Sequence, residues 1–509
     1  MSLQTIEVRN PATLEKVAEL PCASAADVAN AVVRARKVQA AWQATTFAER
    51  TRLLYRLRDL LIDEQERLAD ILTSETGRPR AEAYGTELFY LCDALGVWAK
   101  KGAEYLKPQT IKPHFPLMKT KKVLATYLPR GVIGIISPWN FPLILTLGEA
   151  IPALLAGNAV IIKPSELTPL SALLGADLVV KAGFPENLLQ IVVGRGETGE
   201  ALVDHADMIA FTGSVETGKR VMRRAAERLI PVSLELGGKD PMIVLKDADL
   251  ERAAGACVWG ALMNCGQACT SVERVYVEAP IYQQFVDRVV ARVRAVRQGP
   301  SEAEVEVGSI TSEAQLKTIE EQVNEAVAGG AKALLGGRRN PKFRGFYYEP
   351  TVLIDVDHSM KIMSEETFGP VIPIMKVKDA EEALRLANDS RYGLSGTIFS
   401  RRESSDRRLA ERLQVGAVCI NDTLVNFIIP DAPMGGVKDS GFGYRHGAEG
   451  IRKYCVQKTI VSHRFGPKEE QPWYPASEKK TRQIRFLLAL LCRSGWRNKL
   501  RALKGLVSG

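Results

Sequence analysis

Four short segments carry residues whose types and spacing suit chemistry. Cys269 stands in Asn264-Cys-Gly-Gln-Ala-Cys-Thr270, among glycine and small or polar residues that let a backbone approach a ligand closely; its thiolate is a nucleophile for a carbonyl carbon. Glu235, in Leu234-Glu-Leu-Gly-Gly-Lys239, ends an apolar run before a Gly-Gly turn. Burial of such a carboxyl raises its pKa toward the range of a general base. Asn140, in Ser137-Pro-Trp-Asn-Phe-Pro142, is an amide held between prolines and able to donate to a developing oxyanion. Lys163 and Glu166 lie three residues apart in Ile162-Lys-Pro-Ser-Glu166. Taken singly, the first three segments have plainer explanations: an inert buried thiol, a strand-end ion pair, an ordinary turn.

The elements that must position these residues alternate. Val- and Ile-rich runs at Gly131–Ile136, Ala159–Lys163, Leu189–Val193 and Asp207–Phe211 are separated by helix-like stretches such as Leu170–Lys181. This predicts a parallel α/β sheet with covering helices, a doubly wound domain ending near Leu236, whose ligands bind at the carboxyl edge of the strands. A second α/β segment starts near Asp240–Leu245 and includes strand-like runs at Ser395–Phe399 and Gly416–Asn421.

At 509 residues, 46% hydrophobic and 25% charged, the chain calls for two or three domains. Eight scattered cysteines fit reduced thiols, and five histidines in no ligand spacing predict no metal site. The first twenty residues hold no continuous apolar stretch, so a cytoplasmic enzyme is expected. Net charge is +9, but residues 477–509 hold nine Lys or Arg against one acid, so this tail carries +8 and the body +1. Ile484, Leu487, Leu488 and Leu491 form a helical apolar stripe, with Trp496, Leu500, Leu503 and Leu506 continuing it. The apolar run 486–492 is far shorter than the roughly 20 residues of a spanning helix. Two readings stay open: an interfacial helix on the anionic inner face of a membrane, or packing on the enzyme or a neighbouring subunit. Lacking stacking platforms, the tail is not expected to bind nucleic acid.

The motifs LELGGK, GQxC, PWNFP, KPSE, FTGS and EETFGP occur in an order and spacing that resembles the aldehyde dehydrogenase superfamily, from about Arg9 to about Val461. The resemblance implies an aldehyde dehydrogenase-like α/β fold: a Rossmann-type NAD-binding domain (1–110 and 130–237), an α/β catalytic domain (238–450) and a β-strand oligomerisation arm (111–129 and 451–463). An exposed linker (464–476) and the basic amphipathic tail (477–509) follow. It also implies a homodimer or homotetramer. Cys269 would form a thioester with the aldehyde, Asn140 would hold the oxyanion, and Glu235 would activate the hydrolytic water. Cofactor contacts would come from Trp139, Lys163, Glu166, Gly213, Ser214, Glu366 and Phe368. Because Glu166 repels a 2′-phosphate, NAD is expected ahead of NADP.

Glu235 separates the chain from the family's CoA-acylating branch. Gly148 stands where succinic semialdehyde enzymes typically carry an arginine. With Phe141, Leu145, Ile428 and Met434 expected to line the substrate site, the similarity is nearer the fatty and aromatic aldehyde branches, and a medium- or long-chain apolar aldehyde is the expected substrate. The alternatives are a succinic semialdehyde dehydrogenase-like enzyme and a catalytically silent binding or structural member of the fold, against which the intact Cys269, Glu235 and Asn140 set argues.

Overall fold

A computed structural model describes residues 4–466, 468–470 and 473–499. The chain divides into two compact units, one of residues up to 107 together with 127–457, the other of residues 108–126 with the chain from Lys458 onward.

The first unit contains two sheets. One has six strands in the order Gly441–Phe442, Val232–Glu235, Met208–Thr212, Val132–Ile136, Ala159–Lys163, Leu189–Ile191. Its five longer strands are parallel, and every position of Val132–Ile136 and Ala159–Lys163 is buried. Burial on both faces explains their continuous Val/Ile composition. The register sets Ile136 beside Lys163 and Phe211, and Thr212 beside Glu235. Four segments of chemical interest therefore leave the sheet along one carboxyl edge: the turn after Ile136, Lys163, the Gly213-Ser214 turn and Glu235. The two-residue strand Gly441–Phe442 pairs antiparallel with the end of Val232–Glu235.

The second sheet has seven strands in the order Lys332–Leu335, Thr351–Ile354, Val371–Val377, Val272–Glu278, Asp240–Val244, Ser395–Phe399, Ala417–Ile420. Only the edge strand Lys332–Leu335 runs antiparallel. The segment Leu236–Lys239 passes directly from the first sheet to the second.

The second unit is built on a three-stranded sheet, ordered Cys455–His463, Lys121–Pro129, Gln109–Ile111. Beyond it a helix spans Glu478–Cys492, started by Ser477, whose side chain accepts from the Lys480 amide. On this helix Ile484 is 48% and Leu488 60% exposed. Leu500, Leu503 and Leu506 of the expected second stripe lie outside the described residues. Among the described residues no helix is long and apolar enough to cross a membrane.

Candidate active site

The cysteine loop is shaped by a backbone reversal. After the helix Leu250–Leu262, capped by the Asp249 carboxylate, Asn264, Cys265 and Gly266 adopt φ of 52°, 56° and 74°. A Cβ at Gly266 would sit 2.1 Å from the Gly369 carbonyl oxygen, so glycine alone fits that close approach. Gln267 fastens the turn: its Nε2 donates to the Asn264 carbonyl (3.0 Å) and its Oε1 accepts from the Thr311 amide (2.9 Å). The glutamine of the GQxC segment is thus a structural clasp that carries Cys269 into position.

The turn after Val132–Ile136 is clasped from the other side. Arg78 donates to the Asn140 carbonyl and pairs with Glu87 at 3.1 Å, both side chains fully buried. Glu87 Oε2 accepts from the amides of Leu143 (3.1 Å) and Ile144 (2.8 Å). Sequence reasoning passed over Arg78 and Glu87, which stand in a stretch that also holds Glu75, Arg80 and Glu82 and so leave no signal of their own. Asn140 Nδ2 donates to the Gln267 carbonyl (3.0 Å), and an amide nitrogen has a second proton to offer.

Glu235 ends its strand 7% exposed, and among the described residues its Oε1 has no hydrogen-bond partner. Burial raises its pKa to about 7, against the pull of Arg445 and Lys453. Cys269 is intermediate in exposure, yet its surroundings are dry enough that burial pushes the thiol up to about 12; Asp240, Glu366 and Glu235 add to the rise and Arg445 opposes it. With no further cation beside it, Cys269 is therefore a neutral thiol at pH 7.

Cys269 lines two cavities. The larger, about 860 Å³, is walled by Tyr90, Phe141, Ile144, Leu145, Phe427 and Ile428, among others. The smaller, about 180 Å³, brings Cys269 together with Trp139, Asn140, Gly213, Ser214, Glu235, Glu366 and Phe368. A third, about 640 Å³, shares Trp139, Gly213 and Ser214 with the second and reaches Lys163, Glu166 and Arg195. Met434, expected at the substrate wall, is buried and is not among the residues that line these three cavities. Its carbonyl accepts from the Arg445 amide (2.7 Å), which turns that stretch of chain into the core.

The second and third cavities fit a dinucleotide. Ser214 caps the helix Val215–Glu227, whose free N–H groups form a ready seat for a pyrophosphate. A Cβ at Gly213 would meet the Phe211 ring at 2.7 Å, so the turn is as narrow as its glycine allows. Glu366 Oε1 accepts from the Gly238 amide (2.9 Å), and burial lifts its pKa to about 8. Phe368 meets Trp139 edge-on, centroids 5.4 Å apart. Lys163 lies 3.4 Å from Glu166 at the far end. Among the described residues no group of three or more His, Cys, Asp or Glu side chains is placed to hold a metal ion.

Comparison with known proteins agrees with this geometry. Residues 1–460 match the aldehyde dehydrogenase family. A Mycobacterium ulcerans protein named for succinate-semialdehyde dehydrogenase and NADP(+) is 40% identical over 472 residues, covering 91% of this chain and 90% of that one. A Methylomonas protein named 4,4'-diapolycopene aldehyde oxidase is 38% identical over 477 residues, covering 93% and 89%. Among solved structures, a Bacillus cereus aldehyde dehydrogenase in complex with NAD+ aligns with a TM-score of 0.86 at 35% identity, covering 90% of this chain and 93% of that one. A Mycobacterium tuberculosis aldehyde dehydrogenase complexed with NAD+ aligns equally well, with a TM-score of 0.86 and coverage of 90% and 95%. The match spans both sheets and every segment that meets at Cys269, and the chain belongs to the aldehyde dehydrogenase family.

Proposed function

We propose that this enzyme oxidises an apolar aldehyde to its carboxylic acid with NAD, by way of a thioester on Cys269. The observation that carries the substrate class is the 860 Å³ cavity. Its walls near Cys269 are aromatic and aliphatic, and its charged lining residues are two arginines, Arg80 and Arg297, against four glutamates, Glu82, Glu302, Glu304 and Glu306. Both arginines are already paired, Arg80 with Glu66 and Asp70, and Arg297 with Glu306. An aldehyde carrying its own carboxylate would meet a net negative wall there, whereas an alkyl or aryl chain gains about 25 cal/mol per Å² of apolar surface buried.

In this reading Cys269 first gives up its thiol proton to water, its sulphur bonds to the aldehyde carbon, and the oxygen, now bearing the negative charge, would accept from the Asn140 side chain and the Cys269 amide; as the carbonyl re-forms, the carbon's hydrogen leaves as hydride and Cys269 carries the acyl group as a thioester. The bound dinucleotide supplies the hydride acceptor. Glu235 then takes a proton from water, whose oxygen bonds to the thioester carbon as the C–S bond breaks, releasing the acid and restoring Cys269. Glu166, close to Lys163 at the end of the third cavity, favours NAD by repelling a 2′-phosphate.

A second reading, oxidation of succinic semialdehyde with NADP, is favoured by the names of several relatives, including the Mycobacterium ulcerans protein. A panel of straight-chain aldehydes beside succinic semialdehyde, each with NAD and NADP, separates the two. The apolar reading requires kcat/KM to rise with chain length and to exceed that for succinic semialdehyde; the reverse order would overturn it.

Assembly enters the same proposal. The strand Cys455–His463 forms the outer edge of the second unit's sheet and exposes Val456, Ile460 and Val461. An edge of this kind is a liability unless another chain pairs with it, which supports a symmetric homo-oligomer; light scattering showing monomer alone at micromolar concentration would remove it. The amphipathic tail is proposed to rest on an anionic membrane surface.

A further inference from the structure

Behind the strand that ends in Glu235 lies a buried group of charges that the reaction as described does not use. Arg445 is 7% exposed; its Nη1 lies 2.8 Å from Glu149 Oε2 and its Nη2 donates to Thr212 Oγ1 at 3.0 Å. Thr212 is the register partner of Glu235 across the two parallel strands, and both line the small cavity with Cys269. Lys453 and the Tyr454 hydroxyl contact Glu149 Oε1. Glu149 stays ionised, held down at about 2 by its two cations. Arg445 and Lys453 against Glu149 leave one positive charge unbalanced in a buried site.

We propose that Glu235 is the counter-ion of this Glu149, Arg445 and Lys453 group, and that Arg445, oriented by Glu149 and Thr212, is the positioning residue that lets Glu235 serve as a base near neutrality. The proposal rests on the reading of Glu235 as the hydrolytic base. A carboxyl this deeply buried, with one oxygen lacking a partner, would otherwise hold its proton to far higher pH. The charges that face Glu235 are Arg445 and Lys453, which favour its ionised form, and Glu149, which disfavours it; their net effect brings the rise caused by burial back to about 7. Arg445 also lowers the Cys269 thiol, so the same side chain acts on both ends of the hydrolytic step. His446, next in sequence, is kept neutral by burial and the Arg445 charge and contributes none of its own.

The test is the pH dependence of acyl-enzyme breakdown, followed by mass spectrometry of enzyme acylated at Cys269 and transferred to buffers from pH 5 to 10. In the native enzyme the rate rises with an apparent midpoint near 7. In Arg445→Gln the midpoint moves up by a unit or more, making breakdown at pH 7 at least about fivefold slower, while the rate at the alkaline plateau is retained; Arg445→Lys restores the midpoint. A folded Arg445→Gln enzyme with an unmoved midpoint, or with breakdown slowed equally at all pH values, would overturn the proposal. Glu149→Gln supplies the opposite sign: the isosteric amide still offers its oxygen to orient Arg445 while one buried anion is removed, so the midpoint falls, and a rise would count against the proposal. Should Arg445→Gln not fold, Lys453→Gln removes the other cation and the midpoint must again rise; no change would overturn the proposal. Failure of the underlying reading looks different: Glu235→Gln would then leave breakdown unchanged at every pH.

Discussion

Asn140 and Gln267 are joined by a single hydrogen bond, Nδ2 to carbonyl oxygen at 3.0 Å, across 127 residues of sequence. Asn264 completes the tie by donating its own Nδ2 to the Asn140 carbonyl at 2.9 Å and to the Gln267 carbonyl at 3.1 Å. The turn after the first sheet's central strand and the loop that ends in Cys269 are thereby one rigid piece. The amide proposed to serve the oxyanion is held in place by the loop that carries the proposed nucleophile.

That arrangement sets the outcome for Asn140→Ala. The oxyanion loses a donor placed for charge that develops only as sulphur attacks, so kcat should fall by about 10²–10³. The Gln267 carbonyl keeps its bond from Asn264 and loses only the one from Asn140, so stability should drop by about 0.5–1.5 kcal/mol. Steady-state kinetics and denaturant unfolding read the two effects separately. Activity near the native level in a folded Asn140→Ala enzyme would remove Asn140 from the oxyanion role.

Cys269 yields a prediction about reactivity. With its pKa pushed up to about 12, the thiolate fraction at pH 7 is on the order of 10⁻⁵, and alkylation of the free enzyme should be slow there. The exposed Cys492 should label first. On the proposed reading, oxidised dinucleotide would bring a positive ring into the small cavity beside Cys269 and favour the thiolate, so it should accelerate labelling. Peptide mapping after timed iodoacetamide treatment checks this; a Cys269 that labels ahead of Cys492 in free enzyme, with no response to NAD, contradicts it. Cys269→Ala should abolish oxidation while leaving dinucleotide binding intact.

The large-scale fold was legible in the sequence wherever one strand carried its own signal. Val132–Ile136 and Ala159–Lys163 are buried on both faces and so read as unbroken apolar runs. The residues at their carboxyl ends were legible because each lies in a short local motif. Arg445, Glu149, Arg78 and Glu87 were not, because a buried charge is recognised only with its partner, and Glu149 meets Arg445 across 296 residues. The strand Gly441–Phe442 is too short for any periodic pattern. Met434 shows the limit of reading a loop from its residue types: its apolar side chain is buried, and its carbonyl accepts from the Arg445 amide, a pairing that the local sequence does not announce.

The proposed preference for NAD over NADP rests on Glu166. Its carboxylate, 37% exposed and 3.4 Å from Lys163, lines the third cavity with Arg195. Replacing the acid by a small neutral side chain in Glu166→Ser removes the repulsion and leaves Lys163 and Arg195 to meet a 2′-phosphate. The ratio of kcat/KM for NADP to that for NAD should rise by at least about tenfold, the equivalent of roughly 1.4 kcal/mol. An unchanged ratio would assign selectivity to another part of the cavity.

The tail supplies the last prediction. The described part, residues 473–499, carries seven Lys or Arg against Glu478, and its helix Glu478–Cys492 leaves Ile484 and Leu488 exposed. Trp473, Tyr474 and Trp496 flank that helix and are also exposed, rings of the kind that settle at a membrane–water boundary. Each Lys or Arg near an anionic surface contributes on the order of 1 kcal/mol, weakened by salt, while burial of the apolar stripe persists in salt. Binding should therefore need both parts: the intact enzyme should co-sediment with vesicles containing anionic lipid at low salt, less at high salt, and little with neutral vesicles. A chain ending at Pro475 should remain in the supernatant throughout. If both proteins stay in the supernatant with anionic vesicles at low salt, membrane docking is rejected; a loss of thermal stability on the same truncation would then place the tail against its own oligomer.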